Sequence, residues 1–574
     1  MDYAALVGLY ERLAATDSTN EKRCLLASAF ADADDQLHRL VLLVRGRLYP
    51  AYDREELGVS SSLMLAAIRR ATGVGESPLR ERWSETGDLG DVAAWATASG
   101  GQQTLFSESL TVERVHDTLR ELPEMDGAGS QGRRVDTVAG LLSNADPEEA
   151  RYVVRTGLGH LRVGVGQGTI RDAIAEAFLD GDDEAVDAVE RAYQVTTDFQ
   201  VVARTARDEQ LEGLAGLSVE LGRPVQVMLA ETTEDISSGV AAAAADGVAR
   251  CEYKYDGFRV QIHVDGPDIT LFTRRLEDVT EQFPDVVRAV EQGITADRVI
   301  LDAELVGYTP ETIADEPTAR EPLAFQQLSR RIKLESDIEA TARELPVVAH
   351  IFDCLYEDGS LLSKPFRERR DRVDAVTTAV TPEPAAGVAG FERARSVTVP
   401  ETDPEAATAL YREALAAGHE GVMLKNPGAV YQPGRRVGRL LKLKPTMEPL
   451  DLVVTRAKYS EGRRSQMLGR LYLGCHDPET GDLLEVGRLS TGYTDDELER
   501  LTDKLEGLVV DQSGRAVELE PSVVLEVEYE EIQESPEYGS GYALRFPRYL
   551  RTRESLAPED ADSIDRVERL YGSQ

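Results

Sequence analysis

Cys251-Glu252-Tyr253-Lys254-Tyr255-Asp256-Gly257-Phe258-Arg259 is the stretch from which the rest of the chain is read. Upstream of the lysine, Cys251-Glu252-Tyr253 alternates as a strand running into Lys254. Downstream, Phe258, Val260, Ile262 and Val264 alternate with Arg259, Gln261, His263 and Asp265, a period of two that predicts a half-buried strand. Asp265-Gly266-Pro267-Asp268 predicts a turn, and a second strand ends at Phe272-Thr273-Arg274-Arg275. Lys254 and Asp256 thus stand at the mouth of a hairpin, on rigid backbone. A lysine of ordinary pKa, about 10.4, needs about 4 kcal/mol to lose its proton near neutrality. Burial and neighbouring cations lower that cost and make an amine attack. A plain surface lysine ahead of a turn has the same local sequence, so the blocks that follow decide between the two.

Those blocks are Phe-Thr-Arg-Arg-Leu-Glu-Asp-Val-Thr (272–280), Leu-Asp-Ala-Glu-Leu-Val-Gly-Tyr (301–308), Phe-Asp-Cys-Leu-Tyr (352–356), Glu-Gly-Val-Met-Leu-Lys (420–425), Leu-Leu-Lys-Leu-Lys-Pro (440–445) and Ala-Leu-Arg-Phe-Pro-Arg-Tyr-Leu-Arg (543–551). In this order they resemble the motifs of the ATP-dependent polynucleotide ligases, a nucleotidyltransferase superfamily shared with mRNA capping enzymes, and above all the archaeal-type DNA ligases. The resemblance implies that Lys254 attacks the α-phosphate of ATP, releases pyrophosphate and carries AMP on its nitrogen. It implies Glu252 at the adenine edge, Phe352 stacked on the adenine, and Arg259 and Arg274 on ribose and phosphates, where guanidinium forks match oxyanions. Glu304 and Glu420 are carboxylates at the ends of apolar strands. Magnesium takes hard oxygen ligands, so Glu420 is expected on the metal and Glu304 on ribose or metal. Lys442 and Lys444 alternate with Leu441 and Leu443 and share one strand face, suited to charge developing at the α-phosphate. Arg436 stands six positions before Lys442, the family spacing for a phosphate contact, and Lys425 is expected to assist.

The expected fold class is multidomain. Residues 1–220 are expected to form an all-α DNA-binding domain, with helical spacing over Tyr3–Ala15, Asn20–Ala33, Ser61–Ala71, Val135–Ser143 and Thr169–Phe178. Residues 221–445 are expected to form an α/β nucleotidyltransferase domain with antiparallel sheets, entered through a helical stretch over 231–249. Residues 446–574 are expected to form an OB-fold β-barrel with a C-terminal tail, a fold that commonly binds nucleic acid. The resemblance implies that Arg545, Arg548 and Arg551 orient pyrophosphate as the barrel closes. The acidic-lysine ending usual to that block is replaced by Glu554 and Ser555. The acidic run 559–565 predicts a solvated surface helix. In the first region, glycines of 157–168 lead into a helix near Thr169, and the resemblance implies that such loops, with Arg162, grip duplex backbone.

Cys24, Cys251, Cys354 and Cys475 form no CxxC pair, which argues against a disulfide framework and a cysteine zinc site. NAD-dependent ligases carry such a module, so ATP is favoured. No stretch is apolar and long enough to span a membrane, and the first residues lack a basic start and cleavage site; a cytoplasmic monomer is expected. The formal net charge is −39, from 64 Lys and Arg against 103 Asp and Glu. A nucleic-acid binder ordinarily shows a basic footprint. At molar salt six phosphate contacts lose about five decades of affinity per tenfold rise in salt, so an acidic, hydrated surface sacrifices little; a halophilic host is expected. Partners are nicked double-stranded DNA and, through a glutamine-plus-apolar stretch at Gln103–Phe106, the sliding clamp; an incidental loop accounts equally for that stretch. The expected activity is nick sealing in replication, repair and recombination with ATP and Mg2+. An RNA ligase or a GTP-dependent capping enzyme shares the central blocks but leaves the long helical region without a purpose. A non-catalytic nick-binding protein predicts no covalent AMP.

Overall fold

The computed structural model describes residues 1–572 apart from 51, 54, 56, 100–108, 128, 335, 446 and 461–465, and for 333 and 437 the backbone alone. The clamp stretch Gln103–Phe106 lies outside the described residues. The first region is helical, with Tyr3–Ala14, Thr19–Ala31, Ser61–Thr72, Ser130–Leu142 and Gln167–Phe178 among its helices. Side-chain caps set several starts: Ser18 accepts from the amide of Glu21, Ser60 from Leu63 and Thr111 from Arg114. Left-handed Gly73 and Gly87 end two of the helices. The apolar stripes meet in one core that includes Tyr3, Tyr10, Phe30, Tyr152 and Ile174.

This region and the central one form a single compact unit, Met1–Lys444. The junction is polar and specific: the amide of Gln226 donates to the carbonyl of Gln194 at 3.0 Å. Thr197 Oγ1 donates to the Pro224 carbonyl at 3.0 Å, and Arg435 pairs with Asp187 at 2.9 Å.

Among the described residues the central region holds ten strands: β1 (Leu229–Thr232), β2 (Val248–Lys254), β3 (Phe258–Asp265), β4 (Asp268–Thr273), β5 (Arg298–Gly307), β6 (Val347–Glu357), β7 (Gly390–Arg393), β8 (Ser396–Pro400), β9 (Gly421–Lys425) and β10 (Arg436–Leu443). They make two five-stranded sheets, ordered β1-β10-β9-β2-β8 and β4-β3-β5-β6-β7. Pairing is antiparallel except for β1 with β10 and β6 with β7. The hairpin β3–β4 is the expected one. The chain passes from the first sheet to the second over Tyr255–Gly257, directly after Lys254. Gly257 is obligatory there, because a Cβ would lie 2.2 Å from the carbonyl oxygen of Leu305. The helix expected over 231–249 is present but shorter than expected. Pairing with β10 draws Leu229–Thr232 into a strand, the helix is confined to Ile236–Ala243, and left-handed Gly247 precedes β2.

The second unit, from Pro445, is rich in strands: β11 (Leu450–Lys458), β12 (Arg470–His476), β13 (Leu483–Leu489), β14 (Val509–Ser513), β15 (Ala516–Leu519), β16 (Val524–Glu528), β17 (Glu531–Glu534), β18 (Tyr542–Arg545) and β19 (Arg548–Thr552). β11 serves three partners: Leu450–Val453 pairs with β16, Arg456–Lys458 pairs with β15, and its pairing with β12 is irregular between Val454 and Arg456. The tail departs from expectation. Its acidic run makes only a short turn at Pro558–Asp560, and the helix is Ile564–Tyr571, held because Val567 is buried in the core of this unit. The fold class is thus the expected one, helical then α/β then strand-rich. Among the described residues no helix is long and apolar enough to cross a membrane.

Candidate active site

Strand alternation puts Glu252 and Lys254 on the same face of β2. Register extends that face across the sheet. Lys254 is opposite Gly421 and Glu252 opposite Met423. Met423 is in turn opposite Lys442, and Leu440 opposite Lys425. One face therefore carries Glu252, Lys254, Lys425, Lys442 and Lys444, while Tyr253, Val422 and Leu441 fill the apolar side.

At one end of this face, Lys254 Nζ lies 2.5 Å from Glu420 Oε2, and Lys444 Nζ lies 2.5 Å from the same oxygen. The backbone secures the arrangement, since the amide of Glu420 donates to the carbonyl of Lys254 at 3.0 Å. Gly421 follows with φ +138°, and a Cβ there would sit 2.2 Å from the Leu443 carbonyl oxygen. Only glycine lets β9 come close enough to bring Lys444 onto Glu420. Burial opposes ionisation of Glu420, yet Lys254 and Lys444 hold its carboxyl below the ordinary carboxylate range. The other sheet contributes Glu304 on β5, opposite Arg259. Burial pushes the Glu304 carboxyl up to about 8 against the pull of Lys254 and Arg259, and the charges of Glu420 and Asp302 add to the rise. Glu304 and Glu420 thus sense each other across the cleft between the sheets.

Along the same face, Lys425 Nζ is 2.6 Å from Glu252 Oε2 and lies 4.5 Å over the ring of Phe352 and 4.8 Å over that of Phe366. Glu252 Oε1 is buried and has no hydrogen-bond partner among the described residues, an acceptor suited to an exocyclic amine. Among the described residues no cluster of three or more His, Cys, Asp or Glu could hold a metal. Two facing carboxylates that repel each other do fit magnesium, which completes its shell with water and phosphate oxygens.

Comparison with known proteins decides the family. Residues 2–175 match the family described as DNA ligase N terminus, 227–444 the ATP dependent DNA ligase domain, and 464–555 the ATP dependent DNA ligase C terminal region. The chain is 40% identical to a DNA ligase of Thermococcus fumicolans over 100% of this chain and 99% of that protein. It is 42% identical to a DNA ligase of Haloferax volcanii over 96% of each. The chain belongs to the ATP-dependent DNA ligase family. A solved structure titled "Pmar-Lig_PreS3" shares the fold, with a TM-score of 0.54 at 16% identity over 95% of this chain and 99% of that one.

Within this ligase-family chain, the remaining residues singled out by sequence lie as follows. Arg259 is drawn inward: it forks onto Asp302 at 2.9 and 2.6 Å and donates to the Met228 carbonyl at 2.8 Å and to Tyr431 Oη at 3.1 Å. Arg274 is exposed, and its amide donates to the Arg259 carbonyl at 3.2 Å. Arg436 opens β10 and is exposed; Lys442 is half-buried. Sequence reading passed over Asp302, although a charge two residues before Glu304 in an apolar strand was a signal. It also passed over Tyr431, which carries no local signal at all. In the helical region, Arg162 is left-handed and pairs with Asp88 at 3.1 Å, and Lys22 supports the same loop by donating to the Val163 carbonyl at 2.9 Å. In the second unit, Arg545 pairs with Glu531 at 3.3 Å, Arg548 with Glu528 at 3.6 Å, and Arg551 with Glu526. Glu554 pairs with Lys504 at 2.6 Å.

Proposed function

We propose that this chain is a DNA ligase that seals nicks in duplex DNA by way of a Lys254–AMP adduct. The observation that carries the reading is the shared carboxylate of Glu420, which holds the Lys254 amine beside a second cation in a chain that matches DNA ligases from end to end. Lys254 Nζ attacks the α-phosphorus of ATP; a P–N bond forms, the bond to the bridging oxygen breaks, and pyrophosphate leaves. The AMP then passes to the 5′-phosphate at the nick, freeing Lys254. The 3′-hydroxyl finally attacks that phosphate and expels AMP.

In this reading Glu420 orients the Lys254 amine, and Lys442, Lys444 and Arg436 stabilise phosphate charge. Glu252 accepts from the adenine amine, Phe352 offers its ring to the base, and Arg259, Arg274 and Glu304 serve the ribose and phosphates. Magnesium, held by Glu304 and Glu420, would neutralise phosphate charge. The division at 220/221 and 445/446 separates a DNA-gripping region containing Arg162, an adenylylation domain and an OB-fold domain that supplies Arg545, Arg548 and Arg551. The net charge of −39, with haloarchaeal relatives, supports a halophilic and cytoplasmic setting. The protein is read as a monomer acting in replication, repair and recombination, tethered to a sliding clamp by Gln103–Phe106. Deleting that stretch should weaken clamp-stimulated joining and spare basal joining.

The test is incubation with labelled ATP and Mg2+, followed by nicked duplex. One adenylyl mass on Lys254, chased into sealed DNA and absent from Lys254→Ala, is the expected result. Sealing without any covalent adduct would sink the reading.

A further inference from the structure

We infer that Tyr431 is a positioning residue for the nucleotide: its hydroxyl staples together the two sheets that wall the cleft. The inference rests on the nucleotidyl-transfer reading above. Tyr431 lies between β9 and β10, with its ring buried among Val225, Met228, Ile300, Leu355 and Leu440. Its hydroxyl donates to Asp302 Oδ2 on β5 at 3.1 Å. It accepts from the amide of Met228, just ahead of β1, at 3.1 Å and from Arg259 on β3 at 3.1 Å. Arg259 closes the network through Asp302 and the Met228 carbonyl. Met228 leads into β1 at the edge of the first sheet, Tyr431 lies in the connection between β9 and β10 with its amide donating to the Leu362 carbonyl beyond β6 at 2.9 Å, and Arg259 and Asp302 belong to the second sheet.

Asp302 is fully buried. A buried ion pair holds its geometry only when the lone pairs and protons left over are also satisfied, and Tyr431 supplies that partner. Burial, reinforced by the charge of Asp302, keeps the phenol of Tyr431 protonated well above its ordinary range, so the donor persists at any working pH. Lys254, Glu420, Lys442 and Lys444 all hang on the first sheet, so their mutual geometry is independent of the staple. Glu304 hangs on the second. A nucleotide gripped from both sides needs the spacing between them, whereas the reacting groups do not.

The test is Tyr431→Phe in the full chain, which keeps the ring and removes the hydroxyl. We expect the KM for ATP in Lys254 adenylylation to rise about tenfold, with the saturating rate within about twofold of the parent. Val264→Ala, in the core of the second sheet five positions along β3 from Arg259, is the control for mere destabilisation. It should lower Tm and leave the KM alone. If Tyr431→Phe behaves like Val264→Ala, or changes neither quantity, the positioning role is overturned. Failure of the parent protein to label at all would bring down the nucleotidyl-transfer reading itself.

Discussion

The cleft lysines and the C-terminal arginines meet opposite electrostatic conditions. Lys254 and Lys444 share one carboxylate, and their side chains are 19% and 27% exposed. Arg548 and Arg551 each have a carboxylate on the neighbouring strand, Glu528 and Glu526, and are 61% and 66% exposed. Two cations on one sheltered carboxylate leave a net positive charge where water and salt ions are scarce. One cation on the exposed Glu528 leaves none, and salt screens what remains; Glu526 is the exception, since it is half-buried and also meets Arg553 at 3.6 Å. In a chain of net charge −39, the positive potential least weakened by salt is therefore the one that the fold encloses.

The sharpest way to break this contrast is Glu420→Gln. It leaves Lys254 and Lys444 facing each other without their common anion. Adenylylation should fall about a hundredfold, measured as the single-turnover rate of AMP transfer. A loss no greater than that caused by an exposed pair would erase the distinction.

Next in size is Lys425→Met, which strands Glu252 as a buried, unpaired carboxylate. Nucleotide affinity should weaken about tenfold and unfolding should come about 3 kcal/mol more easily, read by titration calorimetry and denaturant melts. Equal stability in the variant would mean that the Glu252–Lys425 pair is not sheltered.

Glu304 sharpens the comparison through pH. Its ordinary value is 4.5 and burial raises it to about 8. Below pH 4.5 folded and unfolded chains both carry the proton; between 4.5 and 8 only the folded one does. The folded state then binds more protons, so stability without nucleotide declines as pH rises through that window. Glu304→Gln should flatten this decline in Tm against pH. Parallel curves for parent and variant would refute it.

The smallest effect belongs to the surface. Glu528→Gln should move Tm by no more than about 2 °C in dilute buffer and by nothing measurable in molar KCl. A large shift that persists in salt would show that these arginines are not the screened pairs described.

Much of the central fold was legible because apolar alternation is a direct consequence of a half-buried strand. Phe258–Asp265 reads almost residue for residue. The 231–249 stretch misled as to the length of its helix because its alanines favour helix locally, while pairing of Leu229–Thr232 with β10 is a long-range event. The Val567 helix was hidden for a related reason: the acidic run beside it dominates local charge, and only burial marks the residue that docks. Tyr431 was invisible because its partners Asp302 and Arg259 are 129 and 172 residues away.

Residue type and spacing alone settle that Lys254 sits at a strand end, that Glu420 precedes a second strand, and that Lys442 and Lys444 share a face, since a period of two leaves no other arrangement. They cannot settle which oxygen two ammonium groups will share, nor which arginine is pulled inward. Those outcomes depend on sheets built from distant segments meeting at hydrogen-bond range, where the cost of an unsatisfied buried charge selects one pairing over the rest.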